Sequence, residues 1–416
     1  MELPGRLSVH HRRRFLCFQK VVAGSVPLQQ SCLHFPLCGG CEYQDVPYPK
    51  QLEDKQIYLE HLFARFKARE FRPIIPSPQL RAYRNKMEYA VGGSAEAPCI
   101  GLRRKKQHRA LIDVQECPVF SPDTRALLDV FRDWMRTLTI LPYDVYKHTG
   151  QLRYVTVRHA KYTDEMLVSV VMAAEPAQIE RERQTEKYRW LVERLSALPM
   201  VRSIYACANS SWSDTALTDA MILLWGTESV TERINDRDYQ IGPRTFFQTN
   251  SFCCARLYEE IRRQVGVHAG RTLDLYCGCA GITLQVADAV SEVVGVDNLP
   301  ANIDQARVNA RLNGVTNATF ICADAQELIR QVAAGPQQDR FETIIVDPPR
   351  VGLTRKSRQL LLASQARAIV YVSCNPLNLA EDLKILTTEY AVESITGVDM
   401  FPYTRHMEVV AGLRRQ

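Results

Sequence analysis

The chain contains no run approaching the roughly 18 apolar residues that a membrane helix requires, so no membrane partner is expected. Arg12-Arg13-Arg14 is not followed by an apolar stretch, and the pattern of a secretory signal is therefore missing. The dinucleotide-type G-x-G-x-x-G is absent, which argues against a nicotinamide enzyme. There are no internal repeats and no low-complexity tracts. Neither sign of charge dominates: 52 Lys and Arg against 46 Asp and Glu leave +6, a mild excess for a nucleic-acid binder.

At 416 residues the chain is long enough for two or three domains. Its 13 cysteines are unevenly spaced and several lie in apolar runs (Cys207, Cys253, Cys254, Cys322), which fits a reducing, cytoplasmic setting. Basic residues cluster at 12–14, 103–106 and 355–358; each cluster reads equally as a solvated face or as a phosphate contact.

Three textures follow one another. Residues 1–31 are too short and weakly patterned for a domain. Leu52, Leu59, Leu62, Phe63 and Phe66 recur at helical spacing over 48–69, and the proline run 73–78 ends that helix. From Tyr83 to about Trp225, short β-branched runs dominate, with a hairpin expected from 153–158 and 166–172 and a helical insert at 177–198. From 245 onward, apolar runs at 272–275, 293–296, 319–322, 343–346 and 368–372 alternate with helical segments such as 302–313 and 358–367. Alternation of this kind predicts an α/β domain with a doubly wound, mostly parallel sheet.

Chemistry-bearing residues sit at both ends. Cys32, Cys38 and Cys41, the last pair separated by Gly39-Gly40, could wrap one metal centre, with Cys117 as a fourth ligand. Four thiolates suit zinc as well as an iron–sulfur cluster. In the 245–416 segment, Leu273-Asp-Leu-Tyr-Cys-Gly-Cys-Ala-Gly281 joins strand to helix through small residues that let a ligand approach the backbone. Acids then close successive strands: Asp297, Asp324 and Asp347. Each alone could be a helix cap. In this order around a parallel sheet they form the pattern of S-adenosylmethionine binding.

With these pieces in order, the chain resembles the RNA uracil-C5 methyltransferases, which form 5-methyluridine. The matching elements are the cysteine segment 32–41, Tyr83-Arg-Asn-Lys86, Gly101-Leu-Arg-Arg104, Cys117-Pro118, Thr245-Phe-Phe-Gln-Thr-Asn250, the cofactor loop, Asp347-Pro-Pro-Arg350, Ser373-Cys-Asn-Pro376 and Arg405-His-Met-Glu408. The resemblance implies a Rossmann-like catalytic domain over 245–416 and a β-rich, RNA-binding domain over 32–244. It implies a [4Fe-4S] cluster on Cys32, Cys38, Cys41 and Cys117, and S-adenosylmethionine held by Gln248, Tyr276, Asp297, Asp324 and Asp347. Cys374 is then the nucleophile that adds to uracil C6, and Glu408 the base that removes the C5 proton. The reaction needs both, because C5 is a poor nucleophile until a thiolate adds at C6, and the proton on C5 must leave before the thiol can.

The Cys-x3-Cys-x2-Cys of radical enzymes is absent, and polar methyl transfer needs no electron, so the cluster is expected to be structural or RNA-organising. Arg84, Lys86, Arg103 and Arg104 are candidate phosphate contacts. Only 31 residues precede Cys32, so the N-terminal β-barrel module of some members is expected to be absent or vestigial. Ala280 replaces the usual second glycine of the cofactor loop, and Gly281 stands where Asn is common. The cysteine set favours a uridine in 23S rRNA, with a tRNA T-loop uridine as the alternative; no protein partner is implied. Two rivals are an exocyclic-amine methyltransferase, which would not need Cys374, and a non-catalytic rRNA-binding assembly factor.

Overall fold

The computed structural model describes residues 32–216, 218–267, 269–336 and 340–416, with the backbone alone at His108. The 1–31 extension and its arginine cluster lie outside the described residues. A helix over Tyr48–Phe63 leads to strand β1 (Glu70–Ile75), then β2 (Lys86–Gly93), β3 (Pro98–Arg104) and β4 (Gln107–Asp113). Next come β5 (Leu152–Ala160), β6 (Glu165–Met172), β7 (Val201–Ala208), β8 (Ala220–Gly226) and a small hairpin of β9 (Val230–Ile234) and β10 (Arg237–Ile241). The remainder supplies β11 (Ala269–Leu275), β12 (Val290–Asp297), β13 (Ala318–Cys322), β14 (Thr343–Val346), β15 (Ala368–Ser373), β16 (Tyr390–Val398) and β17 (Glu408–Arg415).

Two large sheets result. The first has the order β4-β3-β2-β5-β6-β7-β8. All its pairs are antiparallel except β6 with β7. A parallel pair needs a crossover, and the insert between β6 and β7 supplies one as two helices, Pro176–Glu182 and Glu186–Ser196. The second sheet has the order β1-β16-β17-β15-β14-β11-β12-β13, with β17 antiparallel to both neighbours and the other pairs parallel. Every residue of β14 and β15 is buried, as expected of strands covered by helices on both faces.

Some boundaries differ from expectation for local reasons. The helix expected over 48–69 stops at Phe63, where a 3₁₀ turn and a left-handed Lys67 (φ 48°) end it. The proline run beyond it is partly a strand. Pro73 lies in β1, at the sheet edge, where a missing N–H is tolerated. The helix expected over 358–367 runs over Arg355–Ser364 instead, because the Thr354 side chain caps it by accepting from Ser357 N and Gln365 turns left-handed at its end.

The helix over Tyr48–Phe63 and β1 therefore build onto the C-terminal sheet. Leu59 and Phe63 pack in one core with Leu273, Ile344 and Tyr371. From the same helix, fully buried Lys55 donates to Asp399 Oδ1 at 2.5 Å and to the His406 carbonyl at 3.1 Å. Removing the ammonium would strand a buried carboxylate. Lys55→Ala should lower unfolding free energy by about 3–5 kcal/mol, read as a reduced denaturant midpoint.

Candidate active site

Two segments distant in sequence lock together between the sheets. Asn85 Nδ2 donates to the Gln248 carbonyl and to Ser251 Oγ, both at 2.8 Å, and Asn85 N donates to Thr249 O. Asn250, fully buried, caps the helix over Ser251–Val265 and donates to the Met400 carbonyl at 2.9 Å. The motifs at 83–86 and 245–250 thus fasten the β-rich part of the chain to the catalytic sheet. Between the two parts lies a cleft of about 1210 Å³.

One wall is the cofactor loop. Tyr276, Gly278 and Ala280 all have positive φ (65°, 54° and 73°), turning the chain sharply at the carboxyl end of β11. A Cβ on Gly278 would meet nothing within 4 Å, so this backbone is open to the cleft. Asp297 is held by three donors, Gly278 N at 3.1 Å, Leu299 N at 2.9 Å and Asn302 Nδ2 at 3.1 Å, which orients its carboxylate at the rim. Gln248, Tyr276, Asp297 and Asp347 line the cleft. Asp324 is not among the lining residues; its side chain caps the helix over Ala325–Ala334 by accepting from Gln326 N and Glu327 N. Its charge still reaches Tyr276, whose phenol is pushed up by burial and by Asp324.

Gly281 has a different reason from a ligand. A Cβ there would come within 2.3 Å of Tyr258 Oη, so the Asn common at this place cannot fit. Gly281→Ala is expected to cost about 1–3 kcal/mol through overpacking, measured as a lowered melting temperature.

The second wall carries the reactive groups. Cys374 follows β15, and Glu408, 3 % exposed, opens β17, the neighbouring strand. Burial, Glu408 and Asp347 push the Cys374 thiol up to about 11, against the opposing pull of Arg350. Burial and then Asp347 hold the Glu408 carboxyl well above its ordinary range, again opposed by Arg350. Burial, with Asp274, pushes Asp347 up to about 7. Three acidic groups and one guanidinium thus share a corner. Cys374 should alkylate slowly at neutral pH, roughly tenfold faster per pH unit until the thiol titrates. Arg350→Gln removes the one cation favouring the thiolate and should move that profile to higher pH, as read by peptide-level mass spectrometry after iodoacetamide.

The third wall is the cysteine segment. Cys32, Cys38, Cys41 and Cys117 all line the cleft and are free thiols. Cys117, pushed up to about 12 by burial, also feels Cys41, Cys32 and Cys38. Among the described residues, no three Cys, His, Asp or Glu side chains close to the spacing of a single metal ion. The segment is strapped to the basic β3–β4 hairpin: Gly39 N donates to Arg103 O at 3.0 Å and Lys105 N to Leu37 O at 2.8 Å. A Cβ on Gly39 would sit 2.9 Å from that Arg103 oxygen. On the other side, Glu42 and Tyr43 N–H groups both donate to Tyr403 O, and Glu42 pairs with Arg405. Arg84, Lys86, Arg103 and Arg104 line the same cleft.

Sequence reading assigned no role to Arg350, His406, Asn302 or Phe246. Arg350 and His406 were inside quoted motifs; the acids around Arg350, and the cations Arg350, Arg405 and Lys55 around His406, come together only in the fold. Phe246, 64 % exposed at the cleft wall, stands in a quoted motif beside buried Phe247, and the sequence does not tell which of the two rings faces the cleft.

A mostly parallel sheet with a small-residue turn after β11, an anchored acid at the end of β12 and a half-buried acid after β14 is the framework of an S-adenosylmethionine-dependent RNA methyltransferase. The chain belongs to the tRNA (uracil-5-)-methyltransferase family, whose model matches residues 47–416. It is 34 % identical over 382 residues to a tRNA (uracil(54)-C(5))-methyltransferase of Pyrococcus horikoshii, covering 92 % of this chain and 85 % of that protein. It is also 34 % identical over 395 residues to an uncharacterised RNA methyltransferase of Clostridium tetani, covering 94 % and 84 %. Among solved structures, the tRNA (uracil-54, C5)-methyltransferase of Pyrococcus abyssi with S-adenosyl-L-homocysteine superposes with a TM-score of 0.73 at 32 % identity, covering 91 % of this chain and 86 % of that one. RNA uracil-5 methyltransferase activity and use of S-adenosylmethionine follow from this membership. No helix among the described residues is long and apolar enough to cross a membrane.

Proposed function

We propose that the protein methylates C5 of one uridine in 23S rRNA through a covalent adduct on Cys374. The observation that carries the mechanism is the corner shared by Cys374, Glu408, Asp347 and Arg350. The Cys374 thiolate adds to C6 of the uracil, and electron density moves to C5. S-adenosylmethionine, when bound, would supply an electrophilic methyl group to C5 and be left as S-adenosyl-L-homocysteine. The Glu408 carboxylate then removes the C5 proton, the C6–S bond breaks, and 5-methyluridine and the thiolate are released. The raised affinity of Glu408 for a proton suits this last step, and Arg350 offsets the accumulated negative charge. Gln248, Tyr276, Asp297 and Asp347 would hold the cofactor, with Asp324 acting on it through Tyr276.

The four cysteines fit a [4Fe-4S] cluster as a donor set: they are free, they open on one cleft, and Gly40 N donates to Cys38 Sγ at 3.4 Å, as cluster thiolates accept. Such a cluster would fix the strap between the basic hairpin and the 403–405 loop. Iron and acid-labile sulfide measured in anaerobically purified protein check this; zinc in their place would overturn it.

The rRNA target rests on the cysteine set and the tRNA reading on the two archaeal relatives. Transfer of labelled methyl to unmodified 23S rRNA and tRNA transcripts, with fragment mapping, separates them. Label as 5-methyluridine in one rRNA fragment is expected. Label confined to tRNA would replace the substrate, and label in neither would overturn the reading.

A further inference from the structure

Far from the reacting groups, the β-rich part of the chain exposes an aromatic surface that folding does not explain. Trp212 is 77 % exposed, and its indole stacks on exposed His148 with ring centroids 4.7 Å apart at 28°. Beside them, Tyr146 is 64 % exposed under the guanidinium of Arg109, 4.9 Å from its ring. An isolated exposed aromatic is ordinary, but a stacked pair with a third ring and a cation is a patch.

The loops that present these rings are built rather than slack. Buried Arg153 spends its guanidinium on the 209–213 loop, donating to Asn209 O at 2.9 Å, Ser211 O at 2.6 Å and Ser213 O at 2.5 Å. That brackets Trp212 on both sides. In the facing loop, Asp144 accepts from Tyr146 N at 2.9 Å and Lys147 N at 3.1 Å, and the Tyr143 hydroxyl lies 3.0 Å from His148 Nδ1. A buried arginine therefore holds in place a ring whose face is given to solvent.

The patch is continuous with the catalytic cleft. Asp214, two residues past Trp212, pairs with Arg103 at 2.5 Å, and Arg103 lines the cleft. The intervening surface belongs to the cationic hairpin with Arg104, Lys105, Lys106 and Arg109. We propose that the Trp212–His148 stack is a base-stacking platform for the RNA strand flanking the target uridine, which reaches it from the cleft over the β3–β4 hairpin. Aromatic faces take any unpaired base, while the hairpin cations follow the phosphates. The platform rests on the reading of the cleft as an RNA uridine site and extends the recognised RNA beyond the methylated nucleotide.

The test is the affinity of a fluorescein-labelled, mixed-sequence, single-stranded 20-nucleotide RNA for the full chain and for Trp212→Ala/His148→Ala, by anisotropy at several salt concentrations and pH 8. Both side chains are exposed, and unchanged S-adenosyl-L-homocysteine binding by calorimetry confirms an intact fold. Losing one stacked base should weaken binding about 5- to 150-fold. The slope of log K against log salt should stay the same, because no phosphate contact is removed. Replacing residues 103–106 by Ser should instead flatten that slope. An affinity within twofold of wild type overturns the platform and leaves the indole to a protein partner; a weakened affinity with a flattened slope also overturns it, as a charge effect. Failure of the functional reading looks different: the unaltered protein would then transfer no labelled methyl to RNA, whatever the variant does.

Discussion

Replacing Cys374 by Ala is expected to abolish methyl transfer, by on the order of a thousandfold or more, while leaving S-adenosyl-L-homocysteine binding intact. The loss is large because Cys374 is the thiol that shares the corner with Glu408 and Asp347, while Cys32, Cys38, Cys41 and Cys117 stand on another wall of the cleft. Arg350 and His406 cannot add to C6 as Cys374 does, and the carboxyl groups of Asp347 and Glu408 are far weaker nucleophiles towards carbon than a thiolate. Cofactor binding survives because its wall is formed by the loop after β11 and the end of β12, and Cys374 lies beyond β14. Single-turnover transfer to RNA, with calorimetric titration of the cofactor product, reads both. Methylation by Cys374→Ala at more than a tenth of the normal rate would reject the covalent route and favour exocyclic-amine chemistry.

Glu408→Gln should slow turnover by about 10²–10⁴-fold and accumulate a methylated RNA–protein adduct that survives denaturation. Methyl transfer precedes proton removal, so the variant completes the first and stalls before the second. The adduct should carry the label and vanish in the double variant with Cys374→Ala. The fold should tolerate the change, since the glutamine has the same shape and removes a buried acid from beside Asp347. The same substitution should shift Cys374 alkylation to lower pH, because Glu408 follows burial as the cause of its raised thiol. A stable, adduct-free variant with normal thiol titration would assign the base elsewhere.

The catalytic sheet was legible because its strands are short apolar runs in strict alternation with helices; 343–346 matches β14 residue for residue. β1 was not, since Pro73 looks like a terminator until it is seen at an edge whose partner, β16, begins some 300 residues later (320 from Glu70 to Tyr390). The acids that close β12 and β13 illustrate the limit within the site. The same spacing produced Asp297, oriented into the cleft, and Asp324, turned to cap a helix. Only the local donors, Gly278 N and Asn302 for one and Gln326 N and Glu327 N for the other, distinguish them. Charge–charge effects were invisible for a related reason. Arg350, Cys374 and Glu408 are spread over 59 positions of sequence, and what each does to the others depends on β17 lying beside β15.

That placement of β17 also governs when the enzyme can come into being. The strand follows all the others in sequence yet lies inside the sheet, between β15 and β16, with Glu408 as its first residue. β16 reaches the sheet through β17, and β1 hangs on β16 in a pairing of very high sequence separation, of the kind that forms slowly. A chain emerging from the ribosome can assemble its β-rich part early but must carry β1 unpaired until β16 and β17 have been made. Half-made copies would thus lack Glu408, the base proposed for the last step of the reaction.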